Sequence, residues 1–254
     1  MIGQKNLTNA ISQFQELPHS LLLVGERGSE EELITDYVAN KFNLITFDLT
    51  TLITKDFIDQ IYESHTRSLY VVNLLKTTSA QQSILLKFFE EPTPYSYILL
   101  FTENESLVLD TILTRAYKLK MDSYTIEDLK TYSSTLDELA YKICRTPGQV
   151  DLLAHTDVQK LYGLCNAMVD AMNRASYTNT LSISEKLNYS DEYSKYDLYL
   201  FLKMLRLVLL EKSKLGLYKK ILNIDKTIWQ MNNKKLQVEY LLTELWCECN
   251  CLQV

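Results

Sequence analysis

The sequence predicts an α/β domain on a parallel sheet, followed by an all-helical half. Three observations point there: four short, almost continuously apolar runs in the first half, amphipathic segments between them, and no strand-like run after about Met121. Strands covered on both faces of a parallel sheet lose the polar–apolar alternation of half-exposed strands. Strand–helix–strand alternation then implies right-handed crossovers and a doubly wound sheet.

The apolar runs are Leu21–Val24 (LLLV), Ile45–Phe47, Leu69–Val72 (LYVV) and Tyr97–Phe101 (YILLF), each expected to be a buried strand. Helices are expected over Glu30–Lys41, Thr54–Arg67 and Ser79–Glu91. In the last, Ile84, Leu85, Phe88 and Phe89 recur on one face and Pro92 stops the helix. Short helices follow over Ile126–Ser133 and Thr135–Cys144, with a break at Thr146-Pro147-Gly148 before another over Gln149–Ala154. From Val158 onward the helices lengthen. Leu161, Cys165, Met168 and Met172 mark one; Leu198, Phe201, Leu202, Leu205, Val208 and Leu209 mark a second; Leu236, Tyr240, Leu241, Leu245 and Trp246 mark a third. The polar stretch Tyr177–Ser194 reads as a loop holding a short helix.

Composition narrows the function classes. Of the 254 residues, 46% are hydrophobic and 23% charged, the balance of a globular protein, and only 6 Gly and 4 Pro leave little room for long linkers. The formal charge of −6 argues against a stand-alone nucleic-acid binder, which needs a basic face. No secretory signal is expected in the polar stretch Met1–Glu16. The longest apolar run, Leu198–Leu210, carries Lys203 and Arg206 and falls short of the roughly 20 residues of a membrane span. Five cysteines form no secreted framework, so a reducing cytoplasm is expected. Cys247, Cys249 and Cys251 lie at i, i+2 and i+4, which cannot all share one helix face; free thiols are expected rather than a metal site. His19, His65 and His155 are scattered, His19 being placed to set the entry of the first strand, and no nucleophile–base arrangement has a convincing context.

A phosphate-binding loop should follow the first strand of such a sheet. It needs glycines whose N–H groups wrap the phosphates, a Lys for the β and γ oxygens, and a Ser or Thr for Mg²⁺. Here LLLV runs into Gly25-Glu26-Arg27-Gly28-Ser29-Glu30-Glu31-Glu32. Gly25 and Gly28 fit the start of the pattern. Glu30, Glu31 and Glu32 stand where the third glycine, the Lys and the Ser/Thr belong. A carboxylate about 4 Å from a phosphate oxygen replaces attraction by about 4 kcal/mol of repulsion at an effective dielectric near 20. No productive ATP site is expected. The metal-binding strand is degenerate as well: LYVV is followed by Asn73-Leu74-Leu75-Lys76, with no carboxylate to hold Mg²⁺ or orient water.

Pro18–Gly25 (PHSLLLVG) resembles the "pHalLl.G" entry to the phosphate loop of bacterial DNA polymerase III clamp-loader subunits of the AAA+ family. Ser79–Pro92 (SAQQSILLKFFEEP) is similar to their "aaNaLLKtLEEP" helix. Leu109–Arg115 (LDTILTR) is similar to the "lpTIrSRC" segment of delta-prime and its relatives. Arg145–Val150 (RTPGQV) resembles the small-domain "GspGrAl" turn, and Asn232–Leu242 the terminal collar helix. The departures are the missing zinc module, since residues 25–78 hold no cysteine, and Thr114-Arg115-Ala116 in place of "SRC".

The resemblance implies an AAA+ α/β domain over residues 1–121, a helical lid over 122–157 and a helical collar over 158–254. It implies a cytoplasmic, non-hydrolysing subunit that uses no cofactor or metal and has no catalytic residue of its own. Its partners would be gamma- or tau-like motor subunits and a delta-like subunit, with the sliding clamp and primer–template DNA reached through the complex and no membrane contact. Arg115 would be offered in trans to a neighbour's nucleotide as an arginine finger; the competing reading is an arginine paired with a nearby carboxylate. Two alternatives stay open: a delta-like clamp-opening subunit, and an NTPase with an unconventional phosphate loop.

Overall fold

Adjacent leucines at Leu21, Leu22 and Leu23 are all fully buried, which a strand achieves only when both faces of its sheet are covered. A computed structural model describes residues 2–174, 178, 195–228 and 234–251 and shows how this comes about. The chain divides into two compact units, Met1–Ser134 with Cys144–Asp151, and Thr135–Ile143 with Leu152–Val254.

The first unit is built on β1 (Ser20–Val24), β2 (Ile45–Asp48), β3 (Ser68–Asn73), β4 (Ser96–Thr102) and β5 (Tyr117–Lys120), all parallel, in the order β2-β3-β4-β1-β5. Around them run α1 (Lys5–Gln13), α2 (Glu31–Phe42), α3 (Lys55–Glu63), α4 (Ser79–Glu90), α5 (Asp110–Leu113) and α6 (Ile126–Tyr132). Alternate strand residues feed opposite cores. Leu22, Tyr70, Val72, Ile98 and Leu100 pack with Ile58 and Ile61 of α3 and Leu85 and Phe88 of α4. Leu21, Leu23, Leu69, Leu99 and Phe101 pack with Leu7 and Ile11 of α1 and Ile34 and Val38 of α2. This is the parallel α/β sheet that the sequence predicts.

Local signals fix the helix starts. The Thr54 hydroxyl accepts from the Phe57 N–H ahead of α3. Thr78 and Gln81 form a reciprocal capping box at α4, as Thr125 and Asp128 do at α6. His19 sits at the entry of β1: its carbonyl accepts from the Ile98 N–H at 2.8 Å and its ring stacks on Tyr97.

The strands at the two edges depart from expectation. β2 was expected to be buried, yet all four of its residues are exposed, with Ile45 at 54% and Phe47 at 44%. It is an edge strand bonded only to β3, and Phe47 stacks on Tyr70 of that neighbour. β5, bonded only to β1, escapes the sequence reading because YKLK has no apolar run; three of its four residues are exposed. α1 also escapes it, because only Leu7 and Ile11 of its nine residues are buried.

The second unit holds α7 (Glu138–Ile143), the end of α8 (Pro147–Ala154), α9 (Val158–Asn173), α10 (Lys195–Glu211), α11 (Leu215–Ile228) and α12 (Lys234–Cys251). α9 packs on α10, α10 on α11, α11 on α12, and α12 back on α9. Cys165, Met168, Val169 and Met172 fill the core from α9, and Phe201, Leu202, Leu205, Val208 and Leu209 fill it from α10. Burial pushes the Cys165 thiol pKa up, the behaviour of an inert packing cysteine. In α12 the buried stripe is Leu241, Leu242 and Leu245, while Tyr240, expected on that stripe, is 39% exposed. α11 has no counterpart in the sequence reading; Leu217 and Ile221 are its buried anchors. The predicted loop over Tyr177–Ser194 lies outside the described residues apart from Thr178. Among the described residues no strand follows Lys120, and no helix is long and apolar enough to cross a membrane.

Centre and edge should respond differently to truncation. Leu100→Ala, in the fully buried middle of β4, is expected to lower unfolding free energy by about 2–5 kcal/mol. Ile45→Ala on the exposed edge should stay within about 0.5 kcal/mol. Urea unfolding of the two variants measures both.

Candidate functional site

β1 lies between β4 and β5, and the chain leaves its C-terminal end at Gly25, whose N–H bonds the Thr102 carbonyl at 2.9 Å. The loop from Gly25 to Glu30 then turns into α2, so the sheet presents the loop where a phosphate-binding loop belongs. Gly28 has a φ of +82°, which a side chain would strain, and its N–H donates to Oε1 of Glu31 at 3.2 Å. A donor suited to wrapping an anion is already met by the chain's own carboxylate.

The three glutamates separate into three roles. Glu30 takes a left-handed conformation, φ 59° and ψ 40°, at the cap of α2, and its carboxylate accepts from the Tyr124 hydroxyl at 3.3 Å. Burial, with the Glu30 and Glu31 carboxylates adding to it, drives the Tyr124 pKa upward. Glu31 closes on Gly28. Glu32 is exposed in the first turn of α2, where negative charge suits the helix dipole.

The loop is also packed from outside. The Thr146 hydroxyl donates to the Arg27 carbonyl at 2.8 Å and the Gly148 N–H to the Gly28 carbonyl at 3.0 Å. The Gln149 amide reaches the Arg27 carbonyl and the Glu26 carboxylate, each at 3.4 Å, while its own oxygen accepts from the Arg145 N–H at 2.9 Å. What remains is a cavity of about 10 Å³ lined by Gly25, Arg27, Glu31, Asn73, Thr102 and Glu103. That is room for about one water, against the roughly 300–1,000 Å³ of small-molecule sites. The residues present do not fit a triphosphate with Mg²⁺: there is no ammonium for its oxygens, and carboxylates replace the cation and hydroxyl it requires.

Asn73 sits at the end of β3 and serves the backbone. Its Oδ1 accepts from the Leu75 N–H at 3.1 Å, capping a short 3-10 turn over Leu74–Lys76, and its own N–H bonds the Thr50 hydroxyl at 3.0 Å. Among the described residues no group of His, Cys, Asp or Glu is arranged to hold a metal ion. Of the terminal cysteines, Cys247 is exposed and Cys249 half-buried.

Arg115 follows α5 and is held on the surface. Its Nη1 donates to the Thr111 carbonyl at 3.2 Å, and Nη2 lies 4.0 Å from Oε1 of Glu90, with the arginine side chain 43% and the glutamate 56% exposed. Both sequence readings therefore meet here: the arginine has a carboxylate beside it, and it also faces solvent. Sequence reasoning missed Gln82, which anchors this segment. Its buried amide donates to the Leu107 carbonyl and accepts from the Leu109 N–H, both at 3.0 Å, tying α4 to the approach to α5. The signal available was a polar residue inside a helix otherwise rich in apolar ones.

The family model described as DNA polymerase III, delta subunit, matches residues 36–125. The matched region runs from within α2 to the start of α6, so it takes in Asn73, the helix α4 and Arg115 and leaves out Gly25, Gly28, Glu31 and Glu32. Among solved structures, a DNA polymerase III gamma subunit-related protein from Thermotoga maritima is similar over 98% of this chain and 100% of its own, at 16% identity and a TM-score of 0.48. The RuvB Holliday junction branch migration motor of Thermotoga maritima is similar over 77% of this chain and 73% of its own, at 17% identity and a TM-score of 0.46. No curated protein sequence matches the chain.

In the first unit, Gly28→Ala adds a Cβ 3.0 Å from the Gly148 Cα at a left-handed φ. It is expected to cost about 1–3 kcal/mol of stability. Glu32→Gln, at an exposed position, should stay within about 0.5 kcal/mol. Denaturant unfolding monitored by circular dichroism checks the pair.

Proposed function

We propose that the chain is a non-hydrolysing, delta-prime-like clamp-loader subunit. The observation that carries the reading is the delta-family match over residues 36–125, supported by a phosphate loop filled with the chain's own carboxylate. In this reading the AAA+ part spans residues 1–121, a helical lid 122–157 and a collar 158–254, and the collar packs against motor subunits of gamma or tau type and a delta-like subunit. The assembly works in the cytoplasm, where it opens a sliding clamp and places it on primer–template DNA. Energy comes from ATP bound by the motors, and this subunit takes no part in turnover.

Arg115 is the group through which it acts on a neighbour. The guanidinium is planar, permanently charged and solvent-facing, and its two present contacts are weak enough to exchange for phosphate oxygens. A positive charge brought to the transferring phosphoryl group stabilises the charge that spreads over its oxygens. The subunit thus contributes a charge in trans without a nucleotide of its own.

The match to a delta-subunit family keeps one second reading in play, a clamp-opening role. Capture of the sliding clamp by the isolated chain would favour it; capture only with the motor subunits present favours the delta-prime-like reading.

Two measurements test the proposal. Titration of the isolated chain with Mg-ATP in a calorimeter is expected to give no binding heat, and micromolar affinity would overturn the non-hydrolysing reading. In the reconstituted complex, Arg115→Ala should lower DNA-stimulated ATPase by at least about tenfold, an arginine finger being worth about 10³–10⁵ in kcat where it acts alone. Assembly, followed by size-exclusion chromatography, should be unchanged. Unaltered hydrolysis would remove the finger role.

A further inference from the structure

We infer that the degenerate phosphate loop is a permanent seat for the chain's own turn at residues 145–149, which stays docked there with no nucleotide present. The residues bonded across the contact are 119 or more apart in sequence, yet the two segments meet backbone to backbone. A Cβ on Gly148 would lie 2.8 Å from the Gly28 Cα, and one on Gly28 would lie 3.0 Å from both the Gly148 Cα and the Thr146 hydroxyl oxygen. Only two glycines permit that approach.

The polar groups on both sides are matched across the contact. The Gly28 carbonyl accepts from Gly148, the Arg27 carbonyl accepts from Thr146 and Gln149, and the Gly28 N–H is met by Glu31. Ser29 donates to the Glu26 carbonyl from within the loop. Ser29, Thr146 and Gln149 are each at most 2% exposed, so these bonds are shielded from water and costly to leave unmade. An incoming phosphate would have to displace a tethered carboxylate, which loses no translational freedom on binding. The Thr146 hydroxyl and the Gly148 N–H, which could otherwise donate to an anion, are already taken by the Arg27 and Gly28 carbonyls.

The seat is thus complete without ligand. In a nucleotide-dependent protein such a loop is ordered by the phosphates; here the same geometry is held by residues 145–149 and Glu31. This follows from contacts inside the first unit and does not rest on the clamp-loader reading.

Hydrogen–deuterium exchange on the full-length chain tests it. Amides of residues 26–31 and 144–151 are expected to exchange slowly and at the same rate with and without Mg-ATP. Thr146→Val, which keeps the shape and removes one hydroxyl, should speed exchange in both segments together by about tenfold and leave β4 unaffected. Gly148→Ala should open both further. Should Gly148→Ala fail to fold, the near-isosteric Thr146→Val decides alone. Faster exchange confined to residues near 146, with residues 26–31 unmoved, would overturn the seat, as would protection of residues 26–31 by Mg-ATP in the unaltered chain. A chain that fails to join motor subunits would leave these exchange results standing, so the two readings fail separately.

Discussion

A glycine N–H that could meet an anion meets instead the carboxylate of Glu31, three residues further along the same chain. The same loop turns into α2, its Gly28 carbonyl receives the Gly148 N–H, and beside it lies a cavity the size of about one water. Electrostatics and occupancy act in the same direction. Carboxylates repel phosphate, and the Gly28 N–H that could meet it is already bonded.

The sheet beneath explains why the loop holds its position. β1 is flanked by β4 and β5, and Leu21, Leu22 and Leu23 divide between two cores, so the strand that delivers Gly25 is locked on every side. Arg115 is delivered differently. It sits after a helix of four residues, secured by Gln82 and Ile112 beneath it, and its guanidinium remains at the surface between a backbone carbonyl and Glu90. The two candidate elements thus have opposite characters: a loop closed by the chain's own carboxylate and packed by residues 146–149, and a cation exposed at the surface.

Much of this was legible residue by residue. LLLV, LYVV and YILLF announce the three central strands because burial on both faces selects unbroken apolar runs. Pro92 marks the end of α4 through local sterics, which need no tertiary information. YKLK carries no comparable signal, and the run in ITFD overstates burial. Edge strands are defined by which neighbour they lack, and that is a property of topology; β5 is therefore silent in the sequence and β2 looks more buried than it is. Tyr240 fails for a related reason: a helical stripe read at ideal spacing shifts by a residue once Leu241, Leu242 and Leu245 find the actual core.

The sequence by itself determined the fold class, the loss of a lysine and of acidic metal ligands, and the candidacy of Arg115, because each is a matter of residue type at a position along one strand or helix. It left Glu30, Glu31 and Glu32 as one acidic triplet and Thr146-Pro147-Gly148 as a simple break. Only the tertiary structure decided that Glu31 closes on Gly28, that Glu30 meets Tyr124, and that the break is the segment seated on the loop. The physical reason is range. Charge type and periodicity are written locally, whereas a bond between residues 119 positions apart exists only once the sheet has brought its ends together.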